Sequence, residues 1–115
     1  MQVQVNTDKN ITSGDRLTEI VRNAVTTKLQ RFSSHVTRVE AHLSDENAHK
    51  SHGNDKKCVL EARPANMQPM AVHHMAATVE QAITGAVDKL ERVLGDAFDQ
   101  MHKTKAAHAP KVQVE

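Results

Sequence analysis

The sequence predicts an α+β domain of order β-α-β-β-β-α: a four-stranded, mostly antiparallel sheet with two helices packed on one face. Three observations carry this prediction. Two segments repeat apolar residues at the three-and-four spacing of a helix face: Leu17, Ile20, Val21, Ala24, Val25, Leu29 and Phe32, then Val79, Ala82, Ile83, Ala86, Val87, Leu90, Val93, Leu94, Ala97, Phe98 and Met101. Four other segments show the two-residue period of a strand with one buried face. Each helix thus has one apolar side and each strand one apolar face, and stacking both helices on the same sheet face buries them all in two layers.

Taken in order, Met1, Val3 and Val5 alternate with Gln2, Gln4 and Asn6 in a first strand. Asp8-Lys9-Asn10 is turn chemistry, and Thr12 or Ser13 can cap a helix whose first turn holds Asp15, a favourable charge at the positive end of the dipole. That helix should end near Ser33-Ser34. From Val36 the period becomes two, with Val39, Ala41 and Leu43 opposite Arg38, Glu40, His42 and Ser44. The polar stretch Asp45 to Asp55 reads as a hairpin loop. Cys58, Leu60 and Ala62 then face inward, Pro64-Ala65-Asn66 ends the strand, and Met70 to His74 forms a short last one. Thr78 followed three residues later by Gln81 is a capping-box pattern that opens the second helix. To Lys103 this helix would be on the order of 37 Å long. Residues 1–103 are expected to form a single domain, and 104–115, which lack periodicity, a flexible C-terminal tail.

Composition excludes several functions. Among 115 residues there is no Trp or Tyr, and Phe32 and Phe98 are the only aromatics. A sheet that holds single strands by stacking bases on several exposed rings cannot be built from these. The formal net charge of +1 does not by itself mark a nucleic-acid binder. Cys58 is alone, so neither an intramolecular disulfide nor a four-cysteine zinc site can form, which fits a reducing compartment. The N-terminus lacks a basic start followed by an apolar core, and no run approaches the roughly 18 apolar residues of a membrane span. A cytoplasmic protein without membrane association is expected.

The candidates for chemistry are the cations of the helices: Arg16, Arg22, Lys28 and Arg31 on the first, Lys89, Arg92 and Lys103 on the second. Arg16 and Arg22 flank the exposed side. Lys28 and Arg31 fall near the direction of the apolar stripe, where an unpaired charge cannot be buried. Either the helix end projects past the sheet or the long stems carry the charges outward, so basic heads gather at one edge of the helical layer. Such fixed cations suit phosphate, with a steep salt dependence. Their structural alternative is simple solvation near the C-terminal ends of helix dipoles. Eight histidines raise the question of a metal, but His49 and His52 lie in the loop without matching cysteines, and His73 and His74 are adjacent on a strand and point to opposite faces. No metal or other cofactor is expected. Catalysis is not expected either: Cys58 is on an inward face, Asp45, Glu46 and Asp55 belong to the loop, and no nucleophile-elbow, zinc-protease or glycine-rich phosphate motif occurs.

The order of elements, together with Thr26-Thr27-Lys28-Leu29-Gln30-Arg31-Phe32 at the end of the first helix, Arg38 in the next strand, and Ala82-Ile83 followed by Asp88-Lys89-Leu90-Glu91-Arg92-Val93-Leu94 in the second helix, resembles the ribosome hibernation promoting factor and ribosome-associated inhibitor family. The resemblance covers Met1 to about Leu94. It implies a non-catalytic factor that sits between head and body of the small ribosomal subunit, covers the tRNA and mRNA positions, inhibits translation or preserves idle ribosomes under stress, and contacts rRNA phosphates. By position the contacts would be Lys28, Arg31, Lys89 and Arg92, with Arg38; Arg22 and Lys103 join them as basic residues of the same helices. After Leu94, where the family continues with lysines, Gly95-Asp96-Ala97-Phe98-Asp99 is neutral to acidic, so this end should contribute less electrostatically. The chain would be a short-type, divergent member whose partners are the small subunit and its rRNA, with no small-molecule substrate. The competing readings are a protein-interaction or self-associating module that pairs through an exposed strand edge at Met1 to Val5 or Met70 to His74, and a metal-responsive regulator using His49, His52, His73 or His74.

Overall fold

The structure, a computed structural model, describes residues 1–11, 14–46 and 55–114, with 102–114 as backbone alone. Its elements are β1 (Gln2–Thr7), α1 (Asp15–Lys28), a 3₁₀ turn (Gln30–Phe32), β2 (Val36–Asp45), β3 (Lys56–Pro64), β4 (Met70–Ala76) and α2 (Val79–Val114). The strands lie in the order β1-β2-β3-β4. β1 pairs parallel with β2, a connection that needs a crossover and receives one in α1, while β2–β3 and β3–β4 are antiparallel. The predicted α+β architecture is the one observed.

Alternation decides which side chains enter the core. Val39, Ala41 and Leu43 of β2 and Cys58, Leu60 and Ala62 of β3 are buried beneath Val21 and Val25 of α1 and Ala82, Ile83, Ala86, Leu90 and Leu94 of α2. Burial pushes the Cys58 thiol up to about 12, the behaviour of an inert core residue. Arg38, Glu40 and His42 stand on the opposite, solvated face of the sheet. A bulge between Val36 and Arg38 keeps Val36 inside as well.

Local polar chemistry closes the loops. Asp8 accepts the Asn10 N–H at 3.0 Å and, through its other carboxylate oxygen, the Asp45 N–H at 3.2 Å. Lys56 bridges Asp55 at 3.0 Å and Asp45 at 3.3 Å, and these hydrogen bonds, Asp55 first, raise its pKa. At the β3–β4 turn Asn66 takes the left-handed conformation, φ 64°, which asparagine tolerates better than most residues. Thr78 accepts the Gln81 N–H at 3.1 Å and caps α2; among the described residues the return bond of a full capping box is absent. Gly14 holds the N-cap position of α1, and the Thr12 and Ser13 proposed for it lie outside the described residues.

Two helix boundaries and one stripe residue differ from the periodicity. α1 stops at Lys28, and the chain reaches Phe32 through the 3₁₀ turn. The backbone of α2 is helical to Val114, past the boundary at Lys103. Lys105, Ala106 and Ala107 favour a helix even where the apolar stripe has stopped. Val93, placed in the stripe, is 38% exposed. Leu94 beside it is fully buried, so Val93 stands at the margin of the buried stripe. Phe98, further on, stays buried because it stacks on Phe32, with ring centroids 5.5 Å apart.

Candidate nucleic-acid interface

α1 and α2 lie side by side and run in the same direction. Leu17 and Ile20 share a cleft with Val79, Lys28 pairs with Asp88 at 3.4 Å, and Arg31 approaches Gly95. This alignment sets which predicted cations meet. Lys28 and Arg31 line one shallow depression with Thr27 and Gln30, a cavity of about 370 Å³. Arg92 follows Asp88 by one turn on the exposed face of α2, between the points where Lys28 and Arg31 come alongside. Lys89 reaches the other way and donates to the His73 carbonyl of β4 at 2.9 Å. A lysine on an edge-strand carbonyl blunts strand addition there, which weakens the self-pairing reading for Met70 to His74.

Arg31 does not lie along the apolar stripe. The tighter rotation of the 3₁₀ turn, about 120° per residue against about 100°, turns it out to solvent. Its guanidinium rests over the Phe32 ring, 4.2 Å from the centroid. A Cβ built at Gly95 would lie 2.9 Å from the Arg31 Nη2, so the absence of a side chain there gives the guanidinium its place. By propensity Gly95 is only a weak helix former. An isolated glycine inside a helical pattern is nevertheless a signal for close packing.

The other predicted residues are elsewhere. Arg22 lines a cleft with Met1 to Gln4 at the β1 edge, and Arg38 borders the same cleft from the outer face of the sheet. Arg38 is bonded to Gln4 and, at 2.7 Å, to Glu40. Strand alternation puts it with Glu40 and His42, so it does not join the Lys28–Arg31 group. The side chain of Lys103 lies outside the described residues, as do His49 and His52; His73 and His74 point to opposite faces of β4.

The ion pairs sort the two faces of the molecule. On the outer face of the sheet Arg38 pairs with Glu40 at 2.7 Å, Arg63 with Glu61 at 3.3 Å and Lys57 with Glu46 at 3.6 Å. On the helical layer Arg16, Arg22, Arg31, Lys89 and Arg92 have no carboxylate within ion-pair distance among the described residues, and Lys28 has only the half-exposed Asp88. Free cations are thus collected on the helices.

A model of the family described as sigma 54 modulation protein / S30EA ribosomal protein matches residues 4–102. The chain belongs to this family. The likeness to ribosome hibernation factors carried by the two helices therefore holds at the level of family. Two solved structures share the fold. The N-terminal domain of protein Y from Thermus thermophilus is 18% identical, with a TM-score of 0.64, over 80% of this chain and 93% of that one. A ribosomal subunit interface protein from Coxiella burnetii is 11% identical, with a TM-score of 0.69, over 86% of this chain and 99% of that one. None of the curated proteins matches.

Proposed function

We propose that this chain is a non-catalytic ribosome-binding factor of the cytoplasm that enters the tRNA and mRNA channel of the small subunit and inhibits translation or preserves idle ribosomes under stress. The observation that carries the reading is the sorting of charge: the cations of the sheet are internally neutralised, whereas Arg31 and Arg92 of the helical layer have no carboxylate partner among the described residues, Lys28 has only the half-exposed Asp88, and Lys89 would have to leave the His73 carbonyl to meet phosphate. Family membership and the name of the Coxiella burnetii relative point to the same partner. Lys28, Arg31, Lys89 and Arg92 are the contacts, with Arg22 and Lys103 secondary; Arg38, tied to Glu40, would first have to break its own pair.

Cosedimentation with small subunits over a salt series tests this. Four phosphate contacts predict a log–log slope of about −2.8 to −3.6, or roughly a 50- to 150-fold loss of affinity for a fourfold rise in salt. Lys28→Glu/Arg31→Glu and Lys89→Glu/Arg92→Glu should each abolish most binding, while Arg38→Gln should leave it nearly unchanged. A wild type that fails to cosediment at low salt, or binding lost only in Arg38→Gln, overturns the proposal.

A further inference from the structure

Beside the Lys28–Arg31 depression, and sharing Arg31 with it, lies a second cavity of about 540 Å³ at the end of the helical layer. This is within the roughly 300–1,000 Å³ range of sites that take small planar ligands. The apolar part of its lining is Phe32, Ala65, Phe98 and Met101, and its rim carries Arg31, His35, Asn66 and Asp99. Among the described residues none of these four side chains makes a hydrogen bond or ion pair. The exposed His35 ring is tilted at 49° to Phe98 with centroids 5.4 Å apart. Arg31 is seated by Phe32 and Gly95, so its guanidinium plane is held rather than free. A cation, an imidazole face, an amide and a carboxylate therefore converge on one partly apolar recess.

We infer that this cavity receives one unpaired nucleobase of the RNA bound at the helical layer, with guanine preferred. The inference rests on the function proposed above. Imidazole and guanidinium planes are surfaces on which splayed-out RNA bases stack. Here a single base would enter a recess, a mode distinct from the aromatic platform that the composition excludes. Asp99 supplies the selectivity. A carboxylate accepts two hydrogen bonds side by side, and guanine alone among the four bases offers adjacent ring and exocyclic N–H donors on its Watson–Crick edge. Asn66, with a donor and an acceptor, can meet the remaining polar edge. The phosphate of the same nucleotide would fall to Arg31 and Lys28. The placement also gives a use to an acidic residue that is otherwise unfavourable on a phosphate-binding surface.

The test is a nitrogen-15 amide titration of the full chain with GMP, AMP, CMP, UMP and ribose 5-phosphate, each at millimolar concentration. GMP should shift the amides near His35, Asn66 and Asp99 at lower concentration than the other nucleotides. Ribose 5-phosphate should move only those around Lys28 and Arg31. Asp99→Ala should erase the preference for GMP. In cosedimentation the same variant should bind small subunits roughly five- to 150-fold more weakly, as expected for loss of a bidentate base contact. Tighter binding by Asp99→Ala, equal responses to the four nucleotides, responses no different from ribose 5-phosphate, or no response would each overturn the base site. Cosedimentation of the wild type at low salt separates the two readings: it persists if only the base site is wrong and is absent if the ribosomal reading itself is wrong.

Discussion

Gly85→Ala should destabilise the protein in one background and stabilise it in another. Gly85 faces β4, and a Cβ built on its backbone would lie 2.1 Å from Cδ2, 2.4 Å from Nε2 and 2.5 Å from Cγ of His74. Because Cγ is included, tilting the far end of the ring is not enough; the whole imidazole must rotate away from α2 about χ1. Overpacking of this kind costs about 1–3 kcal/mol. Against it stands the gain of replacing glycine by alanine inside a helix, about 0.8–1 kcal/mol. The net expectation is a loss of about 0–2 kcal/mol in the wild type. In His74→Ala the obstruction is gone, and the same substitution should stabilise by about 0.8–1 kcal/mol. The coupling energy of the double-mutant cycle is then about 1–3 kcal/mol, well above the ~0.5 kcal/mol scatter of independent sites. Urea unfolding followed by far-ultraviolet circular dichroism is the suitable assay, since the chain has no Trp or Tyr to report by fluorescence. Equal effects of Gly85→Ala in both backgrounds would show that His74 is not the group that requires glycine at this position.

Cys58, raised from 9.0 to about 12 by burial, is neutral in the folded protein where the unfolded chain would ionise it. Its contribution is fully present below pH 9 and is lost as pH rises through about 12, so the stability difference between wild type and Cys58→Ala should shrink over that window in alkaline urea titrations. At pH 8 the thiolate fraction is on the order of one in 10⁴, and native Cys58 should resist alkylation until the protein unfolds. Asp88→Asn should free Lys28 and tighten binding to small subunits by roughly two- to fivefold, the weight of an exposed ion pair, with stability changed by less than about 0.5 kcal/mol. Weaker binding by Asp88→Asn would mean that the Lys28–Asp88 pair positions the lysine rather than competing for it.

The strands and their inward faces are legible in the sequence because alternation is a local property. Once Cys58, Leu60 and Ala62 are apolar and their neighbours polar, the face they share follows from the pleat. The same holds for Thr78, whose cap depends on atoms three residues away. Other features depend on how elements sit against one another, which no short window contains. Val93 has the spacing of a core residue but stands at the margin of the buried stripe, exposed beside the fully buried Leu94. Lys28 falls near the apolar stripe by spacing, yet it is half-exposed and meets Asp88 because α1 and α2 are aligned at that height. Gly95 and Gly85 look like flaws in a helix until Arg31 and His74 are placed beside them. His35, Asn66 and Phe98 are far apart in the chain, so the cavity that they line carries no sequence signature.

A net charge of +1 understates what the surface can do, because the sum ignores where carboxylates are engaged. Glu40, Glu46 and Glu61 neutralise the sheet's own cations, and the cations without a carboxylate partner among the described residues lie mostly on the helical layer. Yet the same layer carries Asp88 beside Lys28, and Asp96 and Asp99 near the end where Arg31 sits. Attraction there is a small difference between a few free cations and a few nearby acids. A surface balanced in this way responds in both directions to single charges: removing Asp88 should tighten binding and reversing Lys28 should abolish it. It also releases its partner over a narrow range of salt, since each lost contact is a sizeable share of the total. The acids on the helical layer therefore bear directly on reversibility, and the opposite responses expected of Asp88→Asn and Asp99→Ala separate a carboxylate that only tempers the charge from one that holds a base.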